Sequence, residues 1–363
     1  PSSEELDELM TILNLPLPDQ KELKNLIKKI ATNTNSNLDE QDLNELSIAS
    51  SGLTEIKVKQ VTAKALAQRG KISKEDIKDI LEEKKQVIAR SEILEFFEAK
   101  SSQDDIGGLS ILKVWLNQRY KAFSKEARDY GLPIPKGVLL VGAQGTGKSL
   151  TAKSISKSWS MPLLRLDVGR LFSSLVGSSE ARTRETISRA EAMSPCILWI
   201  DEIDKGFGGD ARSDGGTSQR VLASLLTWMA EKESAVFVIA TANAIDKLPA
   251  ELLRKGRFDE IFFLDLPNSE ERLSILDLHL KKRRPSYSFP LSTIIDRTDG
   301  FSGAELEQAV IEGMHISFSE NRELMEKDLI KAVSELVPLS RTAKEQIDLL
   351  KEWSSTGRAR SAS

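Results

Sequence analysis

The 363 residues carry 51 Lys+Arg against 55 Asp+Glu, with 40% hydrophobic side chains; this balance excludes a globally disordered chain and gives no general pull toward nucleic acid or anionic membrane. A single cysteine, Cys196, excludes a disulfide framework and predicts a reducing compartment, and with only His279 and His315 beside it no His/Cys zinc site can form. The longest apolar stretches, such as 235–240, fall far short of the roughly 20 residues that cross a bilayer, there is no basic, apolar leader, and the first residue, Pro1, predicts that the chain starts inside a longer protein.

The first hundred residues differ from the rest. They hold two of the 21 glycines, Gly52 and Gly70, and two of the aromatic residues, Phe96 and Phe97. They also hold the whole net charge of −4. Leu23, Leu26, Ile27 and Ile30 form a helical stripe, as do Ile77, Ile80, Leu81 and Ile88. Ser73 with Asp76 marks a helix start, and the Asn-rich stretch 32–37 a loop. From Lys136 the pattern changes: short apolar runs at 137–141, 163–166, 196–200, 235–240 and 261–264 alternate with helical stretches. That alternation predicts an α/β fold with a parallel sheet covered on both faces. From Ser269 the chain reads as helical again, and 354–363, rich in Ser and Arg, as a mobile tail.

A weak internal repeat links the two helical regions. ILNLPLPDQKEL at 12–23 matches IFFLDLPNSEER at 261–272, and Gly52-Leu-Thr with Gln60 matches Gly300-Phe-Ser with Gln308. Chance similarity between helical segments is one explanation. The other is that residues 1–95 are the end of an earlier copy of the same module, in which Glu8 and Leu9 stand where Arg257 and Phe258 stand later.

Four motifs carry chemistry. GAQGTGKS at 142–149 lies between an apolar run and a helix start, the context of a phosphate loop. Gln144, Gly145, Thr146, Gly147 and Leu150 would line up backbone N–H groups around a β-phosphate. Lys148 would reach the β/γ oxygens, and the Ser149 hydroxyl would hold Mg²⁺. About fifty residues on, an apolar run ends in Asp201 and Glu202, the first suited to supporting Mg²⁺ and the second to polarising an attacking water. Asp204 extends this acidic patch as either a helix cap or a site residue. Asn243, just past the run 235–240, can orient that water, although a lone Asn is often a turn residue. Arg254 and Arg257 precede another apolar run and could stabilise charge on a transferring phosphoryl group, or form surface ion pairs. The basic cluster 281–284 reads as the C-terminal end of a helix, where cations meet the dipole favourably.

These motifs resemble the AAA ATPases over about residues 101–345. Asp105, Ile106 and Gly107 resemble the segment that borders the adenine in that family; Gly303 and Ala304, within GFSGAEL at 300–306, resemble its lid; His279 matches a lid-helix histidine near the nucleotide. The phosphate-loop and 192–205 stretches, with the ending at 357–360, are more closely similar to a family of AAA proteins of cyanobacteria and plastid genomes associated with inorganic-carbon use, which carries a degenerate module before the AAA module. The resemblance implies a core at 96–267, a helical lid at 268–353, ATP hydrolysis with Mg²⁺, a homohexameric ring in which Arg254 and Arg257 act on a neighbour's nucleotide, and remodelling of an unidentified protein partner. It implies cyanobacterial cytoplasm or plastid stroma, with no membrane and no nucleic-acid partner. A regulatory scaffold with little turnover and a nucleic-acid motor are the alternatives. Two departures stand out. Ala143 and Gln144 replace prolines common in the family's phosphate loop. At the pore-loop position Leu175, Val176 and Gly177 lack the aromatic residue with which threading relatives grip a chain.

Overall fold

The computed structural model describes residues 18–89, 93–97, 106–172, 178–207 and 217–363. Asp105, the pore-loop residues Leu175, Val176 and Gly177, the pair Glu8 and Leu9, and most of the glycine-rich loop at 206–216 lie outside the described residues. The described part divides into a helical unit at 18–89 and a second unit that holds a sheet and the C-terminal helices.

The first unit packs the helices Gln20–Asn33, Glu40–Ser50, Glu55–Arg69 and Ile77–Ala89. Their apolar stripes meet in a core of Leu23, Ile27, Leu46, Val58, Ile72 and Ile80. The first three helix starts each have a side-chain cap. Asp19 and Glu22 form a reciprocal capping box. Thr54 caps the third helix two residues after Gly52, which sits at φ +84°. The buried Asp76 accepts the Ser73 N–H at 2.8 Å and pairs with Arg69.

The second unit is built on a seven-stranded sheet of order β1-β3-β4-β5-β2-β6-β7. The strands are β1 Leu94–Phe97, β2 Gly137–Gly142, β3 Leu163–Leu166, β4 Cys196–Ile200, β5 Val236–Ala242, β6 Glu260–Leu264 and β7 Arg360–Ser361. β2 to β6 are the five runs expected from the sequence, and they pair in parallel; β1 lies antiparallel to β3. Every residue of β2, β4 and β5 is buried, because helices cover both faces of a parallel sheet and alternation disappears. Trp115 packs edge-on against Phe262 and Trp159 packs tilted against Phe237, joining the helices Ser110–Lys121 and Lys148–Trp159 to one face.

Two sequence expectations are corrected here. Leu94 and Glu95 belong to the sheet rather than to the N-terminal helical region, since β1 pairs in register with β3. The expected mobile tail is also wrong. Gly357, at φ +76°, turns the chain back after the helix Lys344–Trp353. β7 then pairs in parallel with β6, whose outer edge would otherwise be open. The Ala362 N–H donates to Phe263 O and its carbonyl accepts from the Leu112 N–H, both at 3.0 Å, and its side chain is fully buried. Ser and Arg in this segment reflect exposed edge positions, not mobility.

The C-terminal helices Ser269–Arg283, Ser292–Arg297, Gly303–Ser319 and Glu326–Glu335 share a core of Leu276, Leu280, Ile294, Leu306 and Leu329. Their caps repeat those of the first unit. Asn268 and Glu271 form a capping box, Ser302 caps a helix two residues after Gly300 at φ +74°, and the buried Asp328 accepts the Met325 N–H while pairing with Arg322 at 2.6 Å.

Candidate active site

In a parallel sheet every strand delivers its carboxyl end to the same edge, and ligands bind in the crevice there. β2 runs into the loop 143–147, β4 into Asp201 and Glu202, and β5 into Asn243. Between this edge and the C-terminal helices lies a cavity of ≈ 430 Å³.

The loop after β2 turns tightly. Gly145 and Gly147 lie at φ +80° and +93°, where L side chains are strained. A Cβ on Gly145 would also meet the Ser302 hydroxyl at 2.9 Å. The loop opens the helix Lys148–Trp159, whose start contributes partial positive charge to the cavity. Lys148 is buried and donates to the carbonyls of Gly142 and Ala143 at 2.8 and 2.6 Å. Burial pulls its pKa down to about 8, against the opposing pull of Asp204, Asp201 and Glu202.

The carboxylates are tied across strands. Ser149 Oγ and Thr241 Oγ1 both donate to Asp201 Oδ1, at 3.0 and 2.8 Å. Thr241 Oγ1 in turn accepts the Glu202 N–H at 2.8 Å. Glu202 has a left-handed backbone, φ +50°, uncommon for a side chain of its size. Its Oε1 accepts from the Asn243 side-chain amide at 3.0 Å. Asp204 is buried and accepts the backbone N–H groups of Asn243 and Ala244 at 3.3 and 3.1 Å, so it anchors the Asn243 turn rather than facing the cavity as a free acid.

The other end of the cavity is apolar, lined by Ile106, Leu109, Ile275 and Leu278. A Cβ on Gly107 would come within 2.5 Å of Ile275 Cγ1, so only glycine lets that segment approach the C-terminal helices. His279 Nδ1 lies 3.1 Å from Arg283 Nη1 and therefore accepts, which leaves the ring proton on Nε2. Burial lowers the His279 pKa, opposed by Glu307 and aided by Arg283 and Lys282. Gly303 and Ala304 close the cavity from the helix above, where the Ala304 N–H donates to Gly145 O at 3.2 Å.

The cavity thus brings together Ile106, Gly107, Gln144, Gly145, Thr146, Gly147, Lys148, Ser149, Leu150, Asp201, Glu202, Asn243, His279, Gly303 and Ala304. It does not include Arg254 or Arg257. Both precede β6, and the amino end of a parallel strand lies at the far edge of the sheet; Asp259, beside them, caps the start of β2 through the Lys136 and Gly137 N–H groups. Thr241, Glu271 and Glu307 also line the cavity and carry no sequence signal beyond an ordinary polar residue near a strand end or on a helix. Glu271 accepts the Leu109 N–H at 3.1 Å, pinning the segment below the apolar end.

The donor set fits a nucleoside triphosphate with a hard divalent cation. The apolar end suits a base, and the glycine turns with Lys148 suit phosphates. Among the described residues no three His, Cys, Asp or Glu side chains cluster as a metal site. Ser149 and Asp201 alone match an ion that leans mainly on phosphate oxygens and water, as Mg²⁺ does.

This strand order, with a phosphate loop after the central strand and paired carboxylates on a neighbouring one, defines a P-loop ATPase fold of the AAA class. The model of the AAA family, "ATPase family associated with various cellular activities", matches residues 138–266, and a model for the second domain of SpoVK-like AAA ATPases matches residues 21–91. The chain is 49% identical over 361 residues to the AAA domain-containing protein ycf46 of Pyropia yezoensis, covering 99% of this chain and 73% of that one. It is 50% identical over 361 residues to ycf46 of Guillardia theta, covering 99% and 71%. The ATP-dependent zinc metalloprotease FtsH of Cyanidium caldarium is 36% identical over 243 residues, 64% of this chain and 39% of that protein. The chain belongs to the ycf46 family of AAA proteins, whose relatives here are plastid-encoded. Among the described residues no helix is long and apolar enough to cross a membrane.

Proposed function

We propose that the chain hydrolyses ATP with Mg²⁺ and uses the cycle to act on a protein partner. The observation that carries this reading is the 3.0 Å hydrogen bond from Asn243 to Glu202 at the carboxylate end of the cavity. It aims a general base into the space beyond the phosphate loop, where a lytic water would stand. Glu202 accepts the water's proton while Asn243 fixes its lone pairs. Lys148 exchanges its carbonyl partners for phosphate oxygens. Ser149 and Asp201 would hold Mg²⁺, which supplies charge neutralisation at the β/γ oxygens. Ile106, Gly107 and His279 would seat the base.

Arg254 and Arg257 stand at the edge of the sheet remote from their own cavity, which supports their acting on a neighbouring subunit in a ring, a homohexamer by family resemblance. Hydrolysis would then move the helices that carry His279, Gly303 and Ala304. A pore-loop role for Leu175, Val176 and Gly177, and a nucleotide contact from Asp105, rest on the resemblance alone, as do the stromal or cyanobacterial setting and a link to inorganic-carbon use. The helical unit at 18–89, without the Leu94–Phe97 strand that the sheet takes, reads best as the lid of a decayed first module. Matching capping boxes, a glycine turn before the third helix and a buried Arg–Asp cap in both units support this. So does the AAA-type model that matches 21–91.

The test is ATPase rate against protein concentration, with Arg254→Ala and Arg257→Ala variants. The reading expects specific activity to rise with concentration and to collapse in both variants. A rate near zero at every concentration favours the scaffold reading. Stimulation by DNA or RNA that salt abolishes favours the nucleic-acid motor.

A further inference from the structure

Register places an arginine beside the metal-supporting carboxylate. Arg165 on β3 is opposite Glu95 of β1 and opposite Trp199 of β4. Side chains two apart on a strand share a face, so Asp201, just past β4, projects on the same side as Trp199. The Arg165 guanidinium lies 5.3 Å from the centre of the Trp199 ring. Its Nη2 is 3.8 Å from Asp201 Oδ2, and its Nη1 is 3.6 Å from Glu95 Oε2. Arg165 Nε is buried with no hydrogen-bond partner. The group is therefore held by the indole face and two long ion pairs, an arrangement that lets it move.

Asp201 divides its oxygens. Oδ1 is taken by the hydroxyls of Ser149 and Thr241. Oδ2 faces Arg165, its one ion-pair partner among the described residues. We propose that Arg165 is a stand-in cation and positioning residue for Asp201: it holds the carboxylate when no divalent ion is present, must withdraw toward Glu95 when one arrives, and so sets the Mg²⁺ concentration the site requires. This rests on the Mg²⁺–nucleotide reading above. The Arg165 side chain is 40% exposed, so as a mere surface ion pair it would contribute little. What distinguishes it is competition, through one charge, for the same oxygen.

The experiment is equilibrium binding of a fluorescent ADP analogue to the full chain across a MgCl₂ titration and in EDTA. Arg165→Gln should lower the half-saturating Mg²⁺ concentration by about three- to tenfold, because a repelling charge and a competitor are both removed. Affinity in EDTA should not change. Arg165→Lys should stay within about twofold of the unsubstituted chain, since the charge is kept. Glu95→Gln should shift the midpoint the other way, because Arg165 loses its alternative partner. A midpoint unchanged or raised in Arg165→Gln, or lowered in Glu95→Gln, overturns the proposal. Binding of the analogue with no Mg²⁺ dependence overturns this proposal while the nucleotide reading stands; no binding at any MgCl₂ concentration or in EDTA means that the nucleotide reading itself fails, and this proposal with it.

Discussion

Thr241 Oγ1 joins the two acids of the site, donating to Asp201 Oδ1 at 2.8 Å while accepting the Glu202 N–H at 2.8 Å. One hydroxyl thereby fixes the end of β4 against β5 and holds Glu202 in its left-handed backbone. Thr241→Val keeps the shape and removes both bonds. It leaves the Glu202 N–H without its acceptor, at a cost of about 1–3 kcal/mol. Denaturant midpoints should fall accordingly, and Thr241→Ser should restore most of the loss.

Asn243 donates its side-chain amide to the proposed base. Asn243→Ala should lower turnover by about a hundredfold, as expected for losing a water-orienting contact, with nucleotide affinity little changed. Single-turnover rates alongside equilibrium binding separate the two. A loss of affinity as large as the loss of rate would mean that Asn243 holds the ligand rather than the water.

Lys148 gives a pH signature. Burial holds its pKa at about 8, and phosphate oxygens in place of the carbonyls of Gly142 and Ala143 would raise it. Binding then favours the protonated lysine. Affinity should be full below that pKa and decline as pH rises through it toward the higher value of the bound state, with proton uptake on binding. Calorimetry near pH 8 in buffers of different ionisation enthalpy measures that uptake. Proton release would contradict the assignment.

The C-terminal strand gives a stability test. Ala362 is fully buried between Phe263 and Leu112. Ala362→Asp would bury an unpaired charge and should destabilise the fold by about 3 kcal/mol or more, whereas the same change at the exposed Ser361 should be nearly neutral. Equal, negligible shifts in both variants would show that the segment is not docked.

What was legible in the chain was local. Glycine spacing, an apolar run ending in Asp201 and Glu202, and Asn243 after the next run identify the cavity floor, because each lies within a few residues of the strand that positions it. The five parallel strands were legible for the same reason: burial on both faces leaves an uninterrupted apolar run. Thr241 and Arg165 were not, since their importance comes from neighbours on other strands, 40 and 36 residues away. Even so, a single arginine inside the run at 163–166 is a signal that could have been read. β1 and β7 were missed because edge strands of four and two residues are too short to show a period, and β7 is exposed throughout.

The central claim is that Glu202 is the base for ATP hydrolysis in a competent site. It is tested most directly by measuring Mg²⁺-dependent ATP hydrolysis and ATP binding for the unsubstituted chain and Glu202→Gln side by side. The account predicts comparable ATP affinity in both, with turnover in the variant lower by at least about a hundredfold. Equal turnover in the two chains, or none in either at any protein concentration, would contradict it.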